Sequence, residues 1–378
     1  MKELRRVGLN LLFLMPGETG GSEVYARNLI PALANERPDL ELVAFVNREG
    51  AELEFPGVEV IPVGVSGRGR MRRVVAEERR LPGLLREHGI ELLHSLGTSA
   101  PARPGVVSVV TILDVIYARY PKAHTLPMRM GMRLLVPRAA RSADRVITIS
   151  RAAAGEIAEL LAIDPMRIDV TYLGGKPPAG ATPEAELRAR LRLGDSPVVL
   201  SVSARRPHKN LPRLLRAFAR LRAEPAPVLV LPGYSTPFQD EIKKQSRHLR
   251  IDERVRFLGW TSDSDLEGLY RAAICFVFPS LAEGFGLPVL EAMQRGVPVA
   301  CSNASSLPEV AGDAALYFDP LEEEEIAAAM EELLVTPARR AELAEAGRRQ
   351  ARRFSWEKTA RGTAESYERA WTERGRRG

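Results

Sequence analysis

A chain of 378 residues exceeds what one hydrophobic core usually supports, so two domains of ordinary size are expected. No apolar stretch approaches the ~20 residues needed to cross a bilayer, and the first residues lack the pattern of a signal peptide. The only cysteines, Cys275 and Cys301, fall in expected buried strands, which fits a reducing compartment and excludes a cysteine metal cluster. These features predict a cytoplasmic protein.

The net charge of +6 is concentrated in one part of the chain. Residues 66–145 hold 15 Lys or Arg and 6 Asp or Glu, which gives +9 there and −3 elsewhere. An expected helix at 128–141 alternates methionine and leucine with arginine. This composition suits an anionic membrane face or a lipid-diphosphate acceptor, and it equally suits an ordinary half-buried helix. Few aromatic residues interleave with the charges, so nucleic acid is not an expected partner.

The first half of the chain alternates strands with helices, which predicts a doubly wound parallel sheet. A strand at 7–15 leads into a glycine-rich turn, where Gly20 and Gly21 precede a helix that Ser22 can cap. Further strands are expected at 40–46, 91–94, 106–112 and 145–149, with helices at 71–88, 128–141 and 151–162. The alternation pauses in a Gly- and Pro-rich loop at 173–180, which predicts a boundary between domains at 1–175 and 176–354.

The second half repeats the same layout. It opens with a strand at 197–203, a basic turn and an amphipathic helix at 211–221. Further strands are expected at 228–231, 255–258, 274–278, 298–302 and 316–318, followed by helices at 321–334 and 337–353. Since the sheet is then complete, we expect residues 355–378 to form a helix that packs back toward the first domain.

The stretch at 282–296, AEGFGLPVLEAMQRG, predicts a loop followed by a helix. Pro288 suits the first helical position because its missing N–H would have no intrahelical partner there. Gly296, with a proline two residues later, ends the helix, which therefore spans about 288–295. Glu291 would lie in its first turn.

Two carboxylates and two glycines lie together in this stretch. Glu283 is on the loop, where Gly284 and Gly286 let the backbone approach a ligand closely. With Glu291 and the positive end of the helix dipole, they predict a site for a phosphate that carries hydroxylated groups. The alternative is that Glu291 only complements the dipole and Glu283 is a solvated loop residue.

Three cations, Arg205, Arg206 and Lys209, follow the first strand of the second domain, at the same expected sheet edge. Arginine binds phosphate oxygens as a fork and lysine binds them as a point charge. A diphosphate between these cations and the helix at Pro288 is the predicted ligand. A solvated basic turn is the alternative.

With these residues in place, the sequence resembles the retaining glycosyltransferase family four, the group 1 glycosyltransferases, over nearly the whole chain. The motifs that carry the resemblance are GGSEVYA, ADRVITISRAAAGEI, HKNLPRLLRAF, VRFLGW, FPSLAEGFGLPVLEAM, SLPEVAGDAALYFDP and FSWEKTA. The resemblance implies the GT-B fold, two Rossmann-like doubly wound domains that face each other across a cleft. It also implies transfer of a sugar from a nucleotide-diphosphate donor to an acceptor hydroxyl, with retention and without a metal or other cofactor.

The resemblance further implies a role for each motif residue. Glu283 would contact the hydroxyls of the donor sugar, and Glu291 would hold the ribose. Lys209, with Arg205 or Arg206, would neutralise the departing diphosphate. The remaining donor-binding positions are the backbone of Gly284, Phe285, Gly286 and Leu287, the base-side residues Gly259 and Trp260, and Gly20 and Gly21 of the first domain. Trp260 is equally compatible with a core position.

Two departures from the family pattern concern the donor. Many relatives have a glycine-arginine pair where this chain has Ser203 and Ala204, so either Arg205 or Arg206 would bind phosphate. Relatives commonly have histidine before the aspartate at position 114, whereas this chain has Leu113 before Asp114. Because leucine cannot pair with the outer sugar hydroxyl that this histidine reaches, the hypothesis is a 6-deoxyhexose or pentose donor. Altered strand register or acceptor-side packing would also explain the leucine.

Other function classes remain open on the sequence. A sugar-nucleotide epimerase would need its own acid and base, for which no pair stands out. A non-catalytic sugar-nucleotide-binding subunit would tolerate loss of Glu283, which is present. The acceptor is unknown, with a lipid-linked molecule or a growing glycan as candidates. Peripheral association with the inner face of the membrane would bring the enzyme to such an acceptor.

Overall fold

The computed structural model describes residues 3–121 and 126–377. The chain forms two compact units, Met1–Gly174 with Ser355–Gly378 and Gly175–Phe354. The boundary between residues 174 and 175 lies one residue before the boundary expected from the loop at 173–180. The second falls where the sequence places it, between residues 354 and 355.

The first unit is built on a parallel sheet whose described strands follow the order β3-β2-β1-β4-β5-β6-β7. These strands are β1 Arg6–Leu11, β2 Glu41–Val46, β3 Val58–Pro62, β4 Leu92–Ser95, β5 Val107–Thr111, β6 Arg145–Thr148 and β7 Ile168–Val170. The order changes direction between β1 and β4, which is where α/β sheets place their ligands. The edge strands β3 and β7 were not predicted, because β3 is half-exposed and β7 has only 3 residues.

Helices cover both faces of this sheet, as its parallel strands require. The described ones that lie before the second unit are α1 Gly21–Glu36, α2 Arg70–Arg79, α3 Leu81–Glu87, α4 Ile116–Arg119, α5 Leu126–Ser142 and α6 Arg151–Leu161. The single helix predicted at 71–88 is therefore two helices. The chain breaks at Arg80 because Pro82 lies in the first turn of α3 and cannot continue the preceding hydrogen bonds.

The second unit repeats the architecture with the order β10-β9-β8-β11-β12-β13, again with every pairing parallel. Its strands are β8 Val198–Leu200, β9 Val228–Leu231, β10 Val255–Phe257, β11 Ala273–Phe278, β12 Val299–Ser302 and β13 Ala315–Phe318. Its helices are α7 Glu184–Arg190, α8 Leu211–Ala219, α9 Gln239–His248, α10 Asp263–Ala272, α11 Leu287–Gln294, α12 Leu307–Ala311, α13 Glu323–Val335 and α14 Pro337–Ala351. The change of direction lies between β8 and β11.

The core of the second unit forms between this sheet and its helices. Val199 and Val277 of the central strands pack with Phe218 of α8 and Met330 of α13. Cys275 is part of the same core, and burial raises the pKa of its thiol to about 12. This cysteine therefore stays protonated and unreactive near neutral pH.

The last helix, α15 Trp356–Arg377, belongs to the first unit, as predicted. The Trp356 ring packs on Tyr25 of α1, with ring centroids 6.3 Å apart. Further along, the Tyr367 hydroxyl lies 2.7 Å from Nδ1 of buried His94, and Nε2 of that ring lies 2.7 Å from the Thr111 hydroxyl. This polar network fixes the helix on the sheet, and burial lowers the pKa of His94 to about 3.

Among the described residues, none of the helices combines the length and the apolar character that a membrane span requires.

Candidate functional site

The loops after β8 and β11 meet at the point where the strand order of the second unit changes direction. Lys209 lies on the first loop and Glu283 on the second. The Lys209 ammonium donates to Oε1 of Glu283 at 2.6 Å, and the two side chains are only 15% and 10% exposed. The structure thus brings together two of the predicted site residues as an ion pair. A pair shielded from solvent interacts more strongly than one on the surface.

Local backbone geometry fixes Lys209. Residues Pro207–Lys209 form a single 3-10 turn, which Asn210 ends with a left-handed φ of 58°. The Asn210 amide donates to the carbonyls of Pro279 and Pro320, at 3.1 and 2.7 Å. Asparagine suits this position because it tolerates the left-handed conformation and its side chain can bond to nearby backbone. The lysine is therefore fixed at its base, and its Nζ atom lies 5.5 Å from the centre of the Phe278 ring.

Two serines that sequence reasoning missed hold the Glu283 loop. The Ser305 hydroxyl donates to the Glu283 carbonyl at 2.7 Å, and the Ser306 hydroxyl donates to the Phe285 carbonyl at 2.7 Å. Gly284 and Phe285 are buried in this loop. A signal was available, since Ser306 opens the family motif SLPEVAGDAALYFDP and Ser305 directly precedes it.

Gly286 sets the start of the helix that follows. Its φ of 112° is accessible to glycine, and a Cβ there would lie 2.6 Å from Leu307 Cδ2. The helix begins at Leu287 with Pro288 second, one residue earlier than predicted. Glu291 is consequently the fifth helical residue, so its predicted place in the first turn was wrong. The first N–H groups of the helix, beside Gly286, remain the positive end of its dipole.

Glu291 is oriented by Tyr270 of α10, another residue that sequence reasoning missed. The Tyr270 hydroxyl donates to Oε2 of Glu291 at 3.1 Å. The Arg295 guanidinium lies 4.9 Å from the centre of the Tyr270 ring and is paired with Glu267 at 2.7 Å. Burial raises the pKa of Glu291, while Arg295 and the Tyr270 hydrogen bond oppose that rise. One carboxylate oxygen is therefore held by the protein, and Oε1 forms no hydrogen bond within the described part of the chain.

The two adjacent arginines have different environments. Arg205 is 1% exposed, and its guanidinium donates to the backbone carbonyls of Leu231, Gly233 and Leu258. These bonds tie together the ends of β9 and β10, so of the two arginines that the sequence left open for phosphate binding, Arg205 is already engaged by the backbone. Arg206 is half-buried, and its guanidinium forms no hydrogen bond or ion pair with residues 3–121 or 126–377. Arg206 is thus the arginine whose charge is available next to Lys209.

Gly259 and Trp260 follow β10 in the same unit. Trp260 is 72% exposed, so it is not a core residue. Its ring packs on Tyr234, with centroids 5.0 Å apart and an interplanar angle of 44°. The Gly233 N–H donates to the Gly259 carbonyl at 3.2 Å, which joins the loop that carries Tyr234 to the loop that carries Trp260. An exposed aromatic pair of this kind can stack a planar ring.

In the first unit, Gly20 and Gly21 lie where β1 passes into α1. Gly20 has a φ of 59° and precedes the helix, which begins at Gly21 without a side-chain cap, so the predicted Ser22 cap was wrong. Leu113 is half-buried just after β5. Asp114 accepts the N–H of Ile116 at 3.0 Å and so helps to start α4.

The part of the chain that the structure describes contains no group of three or more His, Cys, Asp or Glu side chains arranged to hold a metal ion.

Family models and known proteins match most of the chain. The family model for glycosyl transferases group 1 matches residues 183–350, and that for glycosyltransferase family 4 matches residues 19–174. The chain is 34% identical to O-antigen chain mannosyltransferase B from Escherichia coli over 268 residues, which are 69% of this chain and 70% of that protein. It is 32% identical to MMP α-(1→4)-mannosyltransferase from Mycolicibacterium hassiacum, with 68% of this chain and 62% of that protein covered. D-inositol 3-phosphate glycosyltransferase from Salinispora tropica is 31% identical over 94% of this chain and 82% of its own length.

Solved structures agree on the fold. Sucrose-phosphate synthase from Thermosynechococcus elongatus superimposes with a TM-score of 0.78 at 22% identity, covering 98% of this chain and all of that one. Alr3699/HepE from Anabaena in complex with UDP-glucose gives a TM-score of 0.75 at 20% identity, over 96% and 99% of the two chains. The predicted GT-B class of two Rossmann-like parallel-sheet domains is confirmed. The chain belongs to the group 1 glycosyltransferases, the family that its motifs indicated.

Proposed function

We propose that the protein is a retaining glycosyltransferase that moves a sugar from a nucleotide-diphosphate donor to an acceptor hydroxyl. The observation that carries the proposal is the shielded Lys209–Glu283 pair, which places a fixed ammonium and a fixed carboxylate at the switch point of the second sheet. A leaving diphosphate needs the cation, and the hydroxyls of a sugar need the carboxylate.

The chemistry assigned to this pair is charge stabilisation. As the bond between the anomeric carbon and the diphosphate breaks, its electrons move to the phosphate oxygen, where Lys209, Arg206 and the positive end of α11 face the new charge. The acceptor oxygen forms its bond to the anomeric carbon on the same face and passes its proton to that phosphate oxygen. Since the side chains and the helix supply the positive charge, we propose that no metal ion takes part.

The nucleoside would lie on the other side of the diphosphate. Oε1 of Glu291 is available to accept from the ribose hydroxyls, because Tyr270 already holds Oε2. Trp260 and Tyr234 offer an exposed aromatic surface to the base. The complex of Alr3699/HepE with UDP-glucose supports a nucleotide sugar as the donor class.

Two observations bear on the sugar. The relatives include proteins named as mannosyltransferases. By the family resemblance, Leu113 also occupies the position at which relatives commonly have a histidine that reaches the outer hydroxyl of the sugar. A 6-deoxyhexose with the ring configuration of mannose, which is rhamnose, satisfies both. If the enzyme turned over GDP-mannose or UDP-glucose faster than 6-deoxy donors, this choice of sugar would be wrong while sugar transfer itself would stand.

The acceptor class rests on the relatives alone. One of them is named for the O-antigen chain, a polysaccharide of the cell surface. We propose a growing glycan or a lipid-linked glycan as the acceptor here, within polysaccharide or glycoconjugate synthesis.

The proposal is tested first by ligand binding and then by turnover. A thermal-shift panel of UDP, GDP, dTDP and ADP identifies the nucleotide, because a ligand at 100 times its Kd adds ~2.7 kcal/mol to stability. Sugar donors of that nucleotide are then assayed for slow release of the nucleoside diphosphate. We expect release by the wild type and its loss in Glu283→Gln with retained nucleotide binding. Interconversion of sugars without release would indicate an epimerase, and binding without any turnover would indicate a non-catalytic subunit.

A further inference from the structure

Helices α2 and α5 of the first unit each present a stripe of apolar side chains to solvent. Met71 and Val75 lie four residues apart on α2, and Leu126, Met130 and Leu134 are spaced by four on α5. These five side chains, which we call the α2–α5 surface, are between 48% and 74% exposed. Spacing by four places each set on one face of its helix.

Two side-chain contacts join the helices, so the two stripes lie in the same region of the first unit. At the start of α2, the Arg70 guanidinium lies against Gly131, where an added Cβ would be 3.6 Å from its Nη1 atom. Seven to eight residues further along both helices, Arg138 pairs with Glu78 at 3.0 Å. Other apolar residues that alternate with arginine along α5 do not face outward. Met128, Met132 and Leu135 are half-buried.

The charge around this surface is positive. Arg72, Arg79 and Arg133 are exposed on the same two helices, and none of them forms an ion pair within the described part of the chain. The acidic residues of α2 are already engaged, since Glu78 pairs with Arg138 and buried Glu77 accepts from Ser99 at 3.0 Å. Helix α5 carries no acidic residue.

We infer that the α2–α5 surface binds the anionic face of a lipid bilayer, with its apolar side chains in the headgroup region and its arginines at the lipid phosphates. Exposed apolar residues interleaved with unpaired cations on helices too polar to span a membrane are the composition of such an interfacial surface. Charge complementarity favours lipid over a second copy of this chain, because a symmetric contact would bring like arginines together. The inference does not depend on the identity of the donor.

The test is flotation of the full chain with vesicles of phosphatidylglycerol and, separately, of phosphatidylcholine. We expect the wild type to float with phosphatidylglycerol only, and to float less as salt is raised. The double variant Met130→Glu/Leu134→Glu should bind at least about tenfold more weakly, because it removes apolar contact and adds repulsion. Arg72→Ala/Arg133→Ala should lose roughly fivefold per arginine.

The matched control is Leu160→Glu/Met166→Glu, which changes two exposed apolar residues elsewhere in the first unit by the same charge. It should bind like the wild type, and circular dichroism should show that all variants are folded. Equal binding of the control and the α2–α5 variants, or no binding of the wild type, would overturn the inference. So would a wild-type dimer that ignores vesicles and becomes monomeric in Met130→Glu/Leu134→Glu. Donor turnover, measured without vesicles, separates this result from the proposed function.

Discussion

The hydrogen bond from Tyr270 to Glu291 gives a sharp test of how the nucleoside is held. Substitution Tyr270→Phe removes the hydroxyl and leaves the ring, so the packing of Arg295 on that ring is kept. Glu291 then loses the donor that fixes its Oε2 atom at 3.1 Å. The carboxylate can rotate away from the position in which its other oxygen would meet the ribose.

Hydrogen bonds to charged groups contribute about 1.5–3 kcal/mol. The lower value corresponds to a loss of about tenfold in nucleoside diphosphate affinity, which we expect for Tyr270→Phe. The turnover of bound donor should change little, because neither residue contacts the diphosphate in the proposed arrangement.

The pH dependence of nucleotide affinity gives an independent test of the same contact. Burial raises the pKa of Glu291, and ribose hydroxyls donate best to the charged carboxylate, so nucleotide affinity should fall as the pH drops through that raised pKa. The Tyr270 hydrogen bond lowers the pKa of Glu291. In Tyr270→Phe the loss of affinity should therefore begin at a higher pH than in the wild type.

Isothermal titration of the preferred nucleoside diphosphate at several pH values measures both effects. The control is Tyr317→Phe in the same unit, whose hydroxyl donates to the Gly312 carbonyl instead. Wild-type affinity and an unchanged pH profile in a folded Tyr270→Phe protein would refute the role given to this tyrosine.

Three further outcomes are expected. Lys209→Met should lower nucleoside diphosphate release by a hundredfold or more, because the leaving charge loses its fixed cation, and a rate near that of the wild type in a steady-state assay would contradict this role. Arg206→Ala should weaken nucleoside diphosphate binding and leave the Tm unchanged. Arg205→Ala should instead lower the free energy of unfolding by about 3 kcal/mol, because three carbonyls lose their donor. Titration and calorimetry measure the two effects, and the reverse pattern would contradict the assignment. Burial lowers the pKa of His94 from 6.5 to about 3, so folding stability should be fully present above pH 6.5 and should fall as the pH drops below it. Urea denaturation at pH 7.5 and 5 should show this slope, and it should be flatter in His94→Gln.

Much of the second unit could be predicted because its signals are local. The apolar run at 274–278 is too short for a helix and ends at a proline, and the structure has β11 at Ala273–Phe278. Lys209 and Glu283 each follow a parallel strand, so both had to lie at the same sheet edge. Their meeting at 2.6 Å follows from β8 and β11 being neighbours, which their sequence order alone does not reveal.

The parts that could not be predicted depend on tertiary contacts. Arg205 and Arg206 are adjacent and chemically identical, and only the fold shows which one the carbonyls of neighbouring strand ends surround. Tyr270 is 21 residues before Glu291, on helix α10, which was not predicted from the sequence. The half-exposed edge strand Val58–Pro62 lacks the continuous apolar run of the central strands.

The most direct test of the central claim is the anomeric configuration of the sugar that the enzyme first releases. Slow hydrolysis of the preferred nucleotide sugar, followed by proton NMR before mutarotation, reports this configuration. Retaining transfer predicts that an α-linked donor first gives the α sugar, with nucleoside diphosphate released in equal amount. A first product whose configuration is opposite to that of the donor linkage would contradict the retaining mechanism.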